Sequence, residues 1–176
     1  MDEVARLIQL FDARADGPAV ARLEVLVAIR PHRDPRIVRF LLDVLLDSNE
    51  STEVRLDVVK QLRRHPRAAD ECVAVARAIA RVLVDAGDAR LRLQAALALG
   101  CFADVEGIPS ALGGVTRDPS ESADLRFAAF TSLERAGATP ECISLMRSLM
   151  SDETLGRAAS ALLATWRVNP SSDRGQ

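Results

Sequence analysis

Two histidines, three cysteines and a dense set of arginines are the side chains of this 176-residue chain best suited to chemistry. His32 and His65 are its only imidazoles, and they stand 33 residues apart. Each falls at a turn between helical segments, so the two would sit on neighbouring turns. Two His with no third ligand make a poor metal site, and solvated turn residues are the favoured reading. Cys72, Cys101 and Cys142 are spaced by 29 and 41 residues. Neither interval suits a zinc pair or a redox CxxC. Each lies among helical apolar residues, so three buried free thiols are expected. No GxSxG, P-loop, GxGxxG, HExxH or EF-hand pattern occurs, and no motif ties a Ser or Cys to a His. The expectation is a non-enzyme with no catalytic or metal residues and no cofactor.

The cations are more informative. Lys60 is the only lysine, and the remaining basic residues are all Arg. A GC-rich coding bias accounts for that preference. Their placement is uneven. The turns IRPHRDPRIVR and KQLRRHPR supply Arg30, Arg33, Arg36 and Arg39, then Lys60, Arg63, Arg64 and Arg67. The corresponding later turns, CFADVEG and ERAGATPE, are not basic. The first half therefore carries a basic edge, assigned to Arg30, Arg33, Arg63, Arg64 and Arg67. Arg at helix C-termini matches the helix dipole, which explains Arg63 and Arg64 but not the density from Arg30 to Arg39.

Composition narrows the classes. Apolar residues make up 48% and charged residues 27%, a globular profile that excludes general disorder. The net charge of −2 argues against non-specific nucleic-acid binding by the chain as a whole. The opening MDEVARLIQLFDARAD lacks the basic and unbroken apolar regions of a signal peptide. No apolar run approaches the roughly 18 residues needed to span a bilayer. A cytoplasmic protein with no membrane association is expected.

The elements that must position these cations read as helix throughout. Stripes of period 3.6 recur between Gly, Pro, Ser and Asp signals, and no stretch alternates with period two. About ten helices are expected, near residues 2–15, 18–30, 35–46, 52–64, 67–86, 89–99, 108–117, 122–136, 140–150 and 154–168. The second is expected to bury Val20, Leu23, Leu26 and Val27. The seventh is the weakest, with Gly113 and Gly114 inside it. Residues 169–176 read as a disordered tail.

Every second helix repeats one phrase: ARLEVLVAI from Ala21, VRLDVVKQL from Val54, LRLQAALAL from Leu91, LRFAAFTSL from Leu125 and GRAASALLA from Gly156. Arg22, Arg55, Arg92, Arg126 and Arg157 form one column, spaced by 33, 37, 34 and 31 residues. The intervening helices end at Asp47, Asp85, Asp118 and Asp152. Near-equal intervals of this length are the signature of a helical solenoid. The repeats lie near 17–50, 51–87, 88–122 and 123–153, with capping helices at 2–15 and 154–168, all in one domain.

On these residues, most clearly Asp88 to Gly100, the chain resembles the HEAT-repeat family. The likeness is to short bacterial HEAT-like repeats related to those of phycobilisome lyases. The resemblance implies a right-handed all-α solenoid of about five hairpins, with the Arg helices convex and the helices ending in Asp concave. It also implies a structural ladder between Arg22, Arg55, Arg92 and Arg126 and Asp47, Asp85, Asp118 and Asp152.

Counting back from each terminal Asp gives a line without large apolar residues: Asp43 and Arg39, Arg81 and Arg77, Gly114 and Ser110, Ser148 and Ser144. With Arg36 and Arg147 it makes a solvated stripe, Arg-rich at one end and Ser-rich at the other. Solenoids bind along such surfaces, and Arg makes bidentate bonds to carboxylates. The expected function is a protein–protein interaction module, an adaptor or scaffold. It would bind an acidic or extended partner segment through the concave face and the basic edge. Nucleic-acid binding or DNA-glycosylase-like chemistry is the alternative, disfavoured by charge and by the scarcity of aromatic residues. A lyase-like or chaperone-like role on a cofactor-carrying protein is a further one. A monomer or an end-to-end homodimer would suit the apolar caps.

Overall fold

A computed structural model describes residues 2–64 and 68–167. His65, Arg67 and the tail at 169–176 lie outside the described residues. Among the described residues the chain is all-α: ten helices, one 3₁₀ turn at Gly100–Phe102 and no strand. The helices are α1 (Glu3–Asp12), α2 (Ala19–Ile29), α3 (Pro35–Leu46), α4 (Thr52–Arg64), α5 (Ala69–Asp85), α6 (Ala89–Leu99), α7 (Ile108–Arg117), α8 (Ala123–Glu134), α9 (Pro140–Leu149) and α10 (Gly156–Thr165). Among the described residues, no helix is long and apolar enough to cross a membrane.

Local chemistry sets where the helices begin. Asp2, Asp34, Asp88, Ser122 and Thr139 each accept a first-turn backbone N–H with the side-chain oxygen. That bond satisfies one of the amide donors a helix start leaves unpaired. Pro35 and Pro140 follow their caps in the first turn, where the missing N–H costs nothing.

Two compact units make up the chain, Met1–Ala95 and Ala96–Gln176, and their boundary falls inside α6. In the first, α1 packs on α2 and α3 on α4, while α2 also meets α4 and α3 meets α5. Its core holds Leu26, Ile29, Leu41, Leu45, Leu62, Ile79 and Leu83, all fully buried. Each such side chain stabilises the fold by about 1.5–3 kcal/mol relative to exposure. The Phe11 and Phe40 rings meet edge-on at 5.0 Å and 88°. In the second unit, α7 packs on α8 and on α9, and α9 on α10. Leu112, Ala129, Leu133, Met146 and Leu163 form its centre.

Helix α2 departs from expectation. Leu26 is buried as expected and Leu23 half-buried, but Val20 and Val27 face solvent, 61% and 53% exposed, and Val25 and Ile29 are buried in their place. Its sequence is apolar around most of the circumference, so periodicity alone does not select a face. The thiols depart too. Cys142 is buried, Cys72 half-buried and Cys101 exposed. Cys101 lies in the 3₁₀ turn after α6, where the helical phase that pointed it inward no longer applies.

Helix α7 forms despite its glycines, each costing about 0.5–1 kcal/mol relative to Ala. Gly113 is buried, and a Cβ there would stand 3.0 Å from Leu145 Cδ2 on α9. Its missing side chain is what lets the two helices approach so closely. Gly107, with φ of +85°, makes the left-handed step into α7.

Candidate functional site

The arginine column sits mostly within the protein. Arg55 Nε donates to the Leu45 carbonyl at 2.9 Å, Arg92 Nε to Leu83 at 2.8 Å and Arg126 Nε to Thr116 at 3.0 Å. Each acceptor lies nine or ten residues earlier, in the last turn of the preceding helix. Carbonyls there have no intrahelical donor, so these guanidiniums cap three helices from the side. Arg126 also pairs with Asp152 at 2.5 Å. Arg22 differs: it lies over the Phe11 ring at 3.9 Å and pairs with Glu50 at 2.5 Å. Arg157 is exposed.

The aspartates that end the alternate helices open turns. Asp47, Asp118 and Asp152 each accept the N–H two residues on, at 2.9 Å in all three cases. Asp85 instead pairs with Arg81 on the exposed side of α5.

Part of the expected basic edge converges on a cleft of about 520 Å³ in the first unit. Arg30, Pro31 and Arg33 enter it from the turn after α2, which Pro31 ends because it has no N–H to continue the ladder. The other wall is Asp57, Lys60, Gln61 and Arg64. These four are spaced i, i+3, i+4 and i+7, which places them on one face of α4. The packing of α2 on α4 brings the two walls together. Arg63 is exposed and does not line the cleft.

A short relay fixes this site. Gln61, only 5% exposed, donates through Nε2 to the Leu26 carbonyl at 3.1 Å and to Asp57 Oδ2 at 2.7 Å. Both partners are acceptors, so the amide can point only one way. Asp57 Oδ1 in turn accepts from Arg30 Nη2 at 2.5 Å. Arg33, Lys60 and Arg64 make no ion pair among the described residues. Asp57 and Gln61 were missed as site residues. Their only sequence signal is their spacing with Lys60 and Arg64 along α4.

The N-terminal part of the expected stripe lies elsewhere in the same unit. Arg36, Arg39 and Asp43 line a groove of about 400 Å³ with Ile8, Phe40 and Glu50 among its walls. Arg36 is held there by its neighbours. It donates to Asp34 through Nε at 2.9 Å and Nη2 at 2.5 Å, and it also pairs with Asp2. The Arg36 hydrogen bonds pull the Asp34 carboxyl down to about 2, and the Arg36 bond lowers Asp2 as well. The two carboxylates raise the Arg36 guanidinium further above its ordinary value. Asp12, Asp43, Asp47 and Glu50 also line this groove, so its carboxylates outnumber its arginines.

Arg77 and Arg81 are exposed on α5 and line no described cleft. Ser110, Ser144 and Ser148 line a groove of about 250 Å³ between α7 and α9 in the second unit. Ser148 Oγ donates to the Leu145 carbonyl at 2.7 Å, and Arg147 is half-buried.

His32 is half-buried. Among the described residues, no three His, Cys, Asp or Glu side chains gather as metal ligands. Chemically the arrangement offers a concentrated positive field in the cleft and mixed or neutral polarity in the grooves. No protein-family model matches the chain, and no curated protein matches it at a significant level.

Proposed function

We propose that this protein is a non-catalytic interaction module that takes an acidic segment of a partner protein in the cleft between the end of α2 and α4. One observation carries this reading: Arg30, Arg33, Lys60 and Arg64 surround a single concavity and, among the described residues, face one carboxylate lining it, Asp57. A guanidinium presents a planar fork of donors that matches a carboxylate, and the Asp57–Gln61 relay holds one such fork in place.

The same reading makes the chain a right-handed HEAT-like solenoid. The repeated Arg phrase and the stacking of successive hairpins within each unit support it. Three free cysteines suit the reducing cytoplasm. The ligand surface proposed here is the basic edge at this cleft and not the stripe, none of whose residues lines it. Arg36 is already engaged by Asp2 and Asp34, and the groove around it is richer in acids. Among the described residues no aromatic side chain lines the cleft, which disfavours stacking of a nucleic-acid strand there.

The test is fluorescence anisotropy with a Glu/Asp-rich peptide against wild type and Arg33→Glu/Lys60→Glu/Arg64→Glu. The wild type should bind in a salt-sensitive manner, and the variant, folded by circular dichroism, should not. Equal binding by both removes the cleft from the account. A preference for a single-stranded oligonucleotide over the peptide overturns the protein-binding reading.

A further inference from the structure

The charge of the cleft says more about its ligand than that it is acidic. Among the described residues, four cations face one carboxylate there, a surplus of three positive charges. Two helix C-termini also point toward this edge, those of α2 and α4, each equivalent to about −0.5 charge. About two positive charges remain uncompensated. A single carboxylate would neutralise half of that surplus. A phosphate monoester, at about −1.5 to −2 near neutral pH, matches it.

We infer that the cleft is a recognition site for a phosphate monoester carried on a peptide, a phosphoserine-type or phosphothreonine-type side chain. This rests on the interaction-module reading and deepens it. The cations that receive the phosphoryl group come from two elements, Arg33 from the turn after α2 and Lys60 and Arg64 from consecutive turns of α4. Three tetrahedrally disposed phosphoryl oxygens meet donors that arrive from different directions, whereas the acceptor sites of a carboxylate lie in one plane and carry less charge. Arg30 is the fixed member of the set, because Asp57 already holds one end of its guanidinium.

Gln61 acts here as a positioning residue: its Nε2 donates to the Asp57 carboxylate that holds Arg30. The preference for a peptide comes from the size of the cleft. The cleft, at about 520 Å³, is larger than a phosphoryl group and has room for the side chain and adjoining backbone.

The experiment uses the full chain and isothermal titration at near-physiological salt. The probes are a phosphoserine peptide, the same peptide with Ser, the same with Glu, and glycerol phosphate. The phosphoserine peptide should bind about tenfold or more tighter than the Glu peptide, and the Ser peptide should not bind. Glycerol phosphate should bind more weakly than the phosphopeptide. Lys60→Gln/Arg64→Gln should reduce phosphopeptide affinity about tenfold or more, whereas Arg77→Gln/Arg81→Gln on α5 should leave it unchanged. Binding of Glu and phosphoserine peptides with equal affinity overturns the phosphate assignment and leaves the acidic-segment reading standing. Equal affinity for glycerol phosphate overturns the peptide requirement. Equal losses in the two double variants overturn the location. No binding of any acidic probe overturns this inference and the interaction reading together.

Discussion

Arg126 offers the sharpest test of how the column works. Its side chain is 5% exposed, its Nε serves the Thr116 carbonyl, and its Nη2 serves Asp152. Arg126→Ala removes both bonds and leaves a carboxylate without its cation. Breaking a buried pair by removing one partner costs about 3–5 kcal/mol. Asp152 is 20% exposed and keeps the N–H groups of Thr154 and Leu155, so about 3 kcal/mol is expected. Arg157→Ala, at the exposed end of the column, should stay within about 0.5 kcal/mol. Urea unfolding followed by labelling of Cys142, buried in the same unit, reads both values. Acid adds a second signature. Backbone donation from Leu155, and then the Arg126 bond, hold the Asp152 carboxyl below its ordinary value. Its stabilisation is therefore present above the unfolded carboxylate pKa of about 3.9 and is lost as pH falls through the folded value. In Arg126→Ala that loss should be smaller and complete at higher pH. A cost below about 1 kcal/mol, with an unchanged acid limb, would refute the side-capping role.

Further outcomes follow from single positions. Gly114→Ala meets open space in a helix interior and should stabilise by about 0.5–1 kcal/mol by thermal unfolding. Gly156→Ala would place Cβ 2.5 Å from the Met150 carbonyl oxygen, and the same measurement should show destabilisation. A carboxyl titration followed by NMR should place Asp34 at about 2 and show it rising in Arg36→Ala. Asp34 then contributes stability above the unfolded carboxylate range and loses it only as pH falls toward about 2. Thiol labelling of the native protein should modify Cys101 first and leave Cys142 protected until unfolding.

Much of this fold could be read from spacing. Asp34-Pro35 and Thr139-Pro140 announce helix starts by local chemistry, and the structure begins α3 and α9 there. The Arg column was visible as a period, but its bonds were not. That Arg55, Arg92 and Arg126 reach carbonyls of the preceding helix depends on hairpin geometry, which periodicity does not contain. The inward face of α2 was misread because an apolar stripe wider than half the helix has no unique direction. At the cleft, the cations were legible because they are dense at two turns. Asp57 and Gln61 were not, because on an isolated α4 they are ordinary polar residues, and only the packing of α2 on α4 encloses them. Arg36 looked available for a ligand. Its partner Asp2 belongs to another helix start, and nothing local signals that pairing.

The cleft is the centre of this account, and chemical-shift mapping tests it most directly. An acidic peptide carrying phosphoserine should be titrated into isotopically labelled protein. The account predicts perturbations confined to Arg30, Arg33, Asp57, Lys60, Gln61 and Arg64, with the α1–α3 groove around Arg39 and Asp43 silent. Perturbations centred on that groove, or on the serines between α7 and α9, would contradict it.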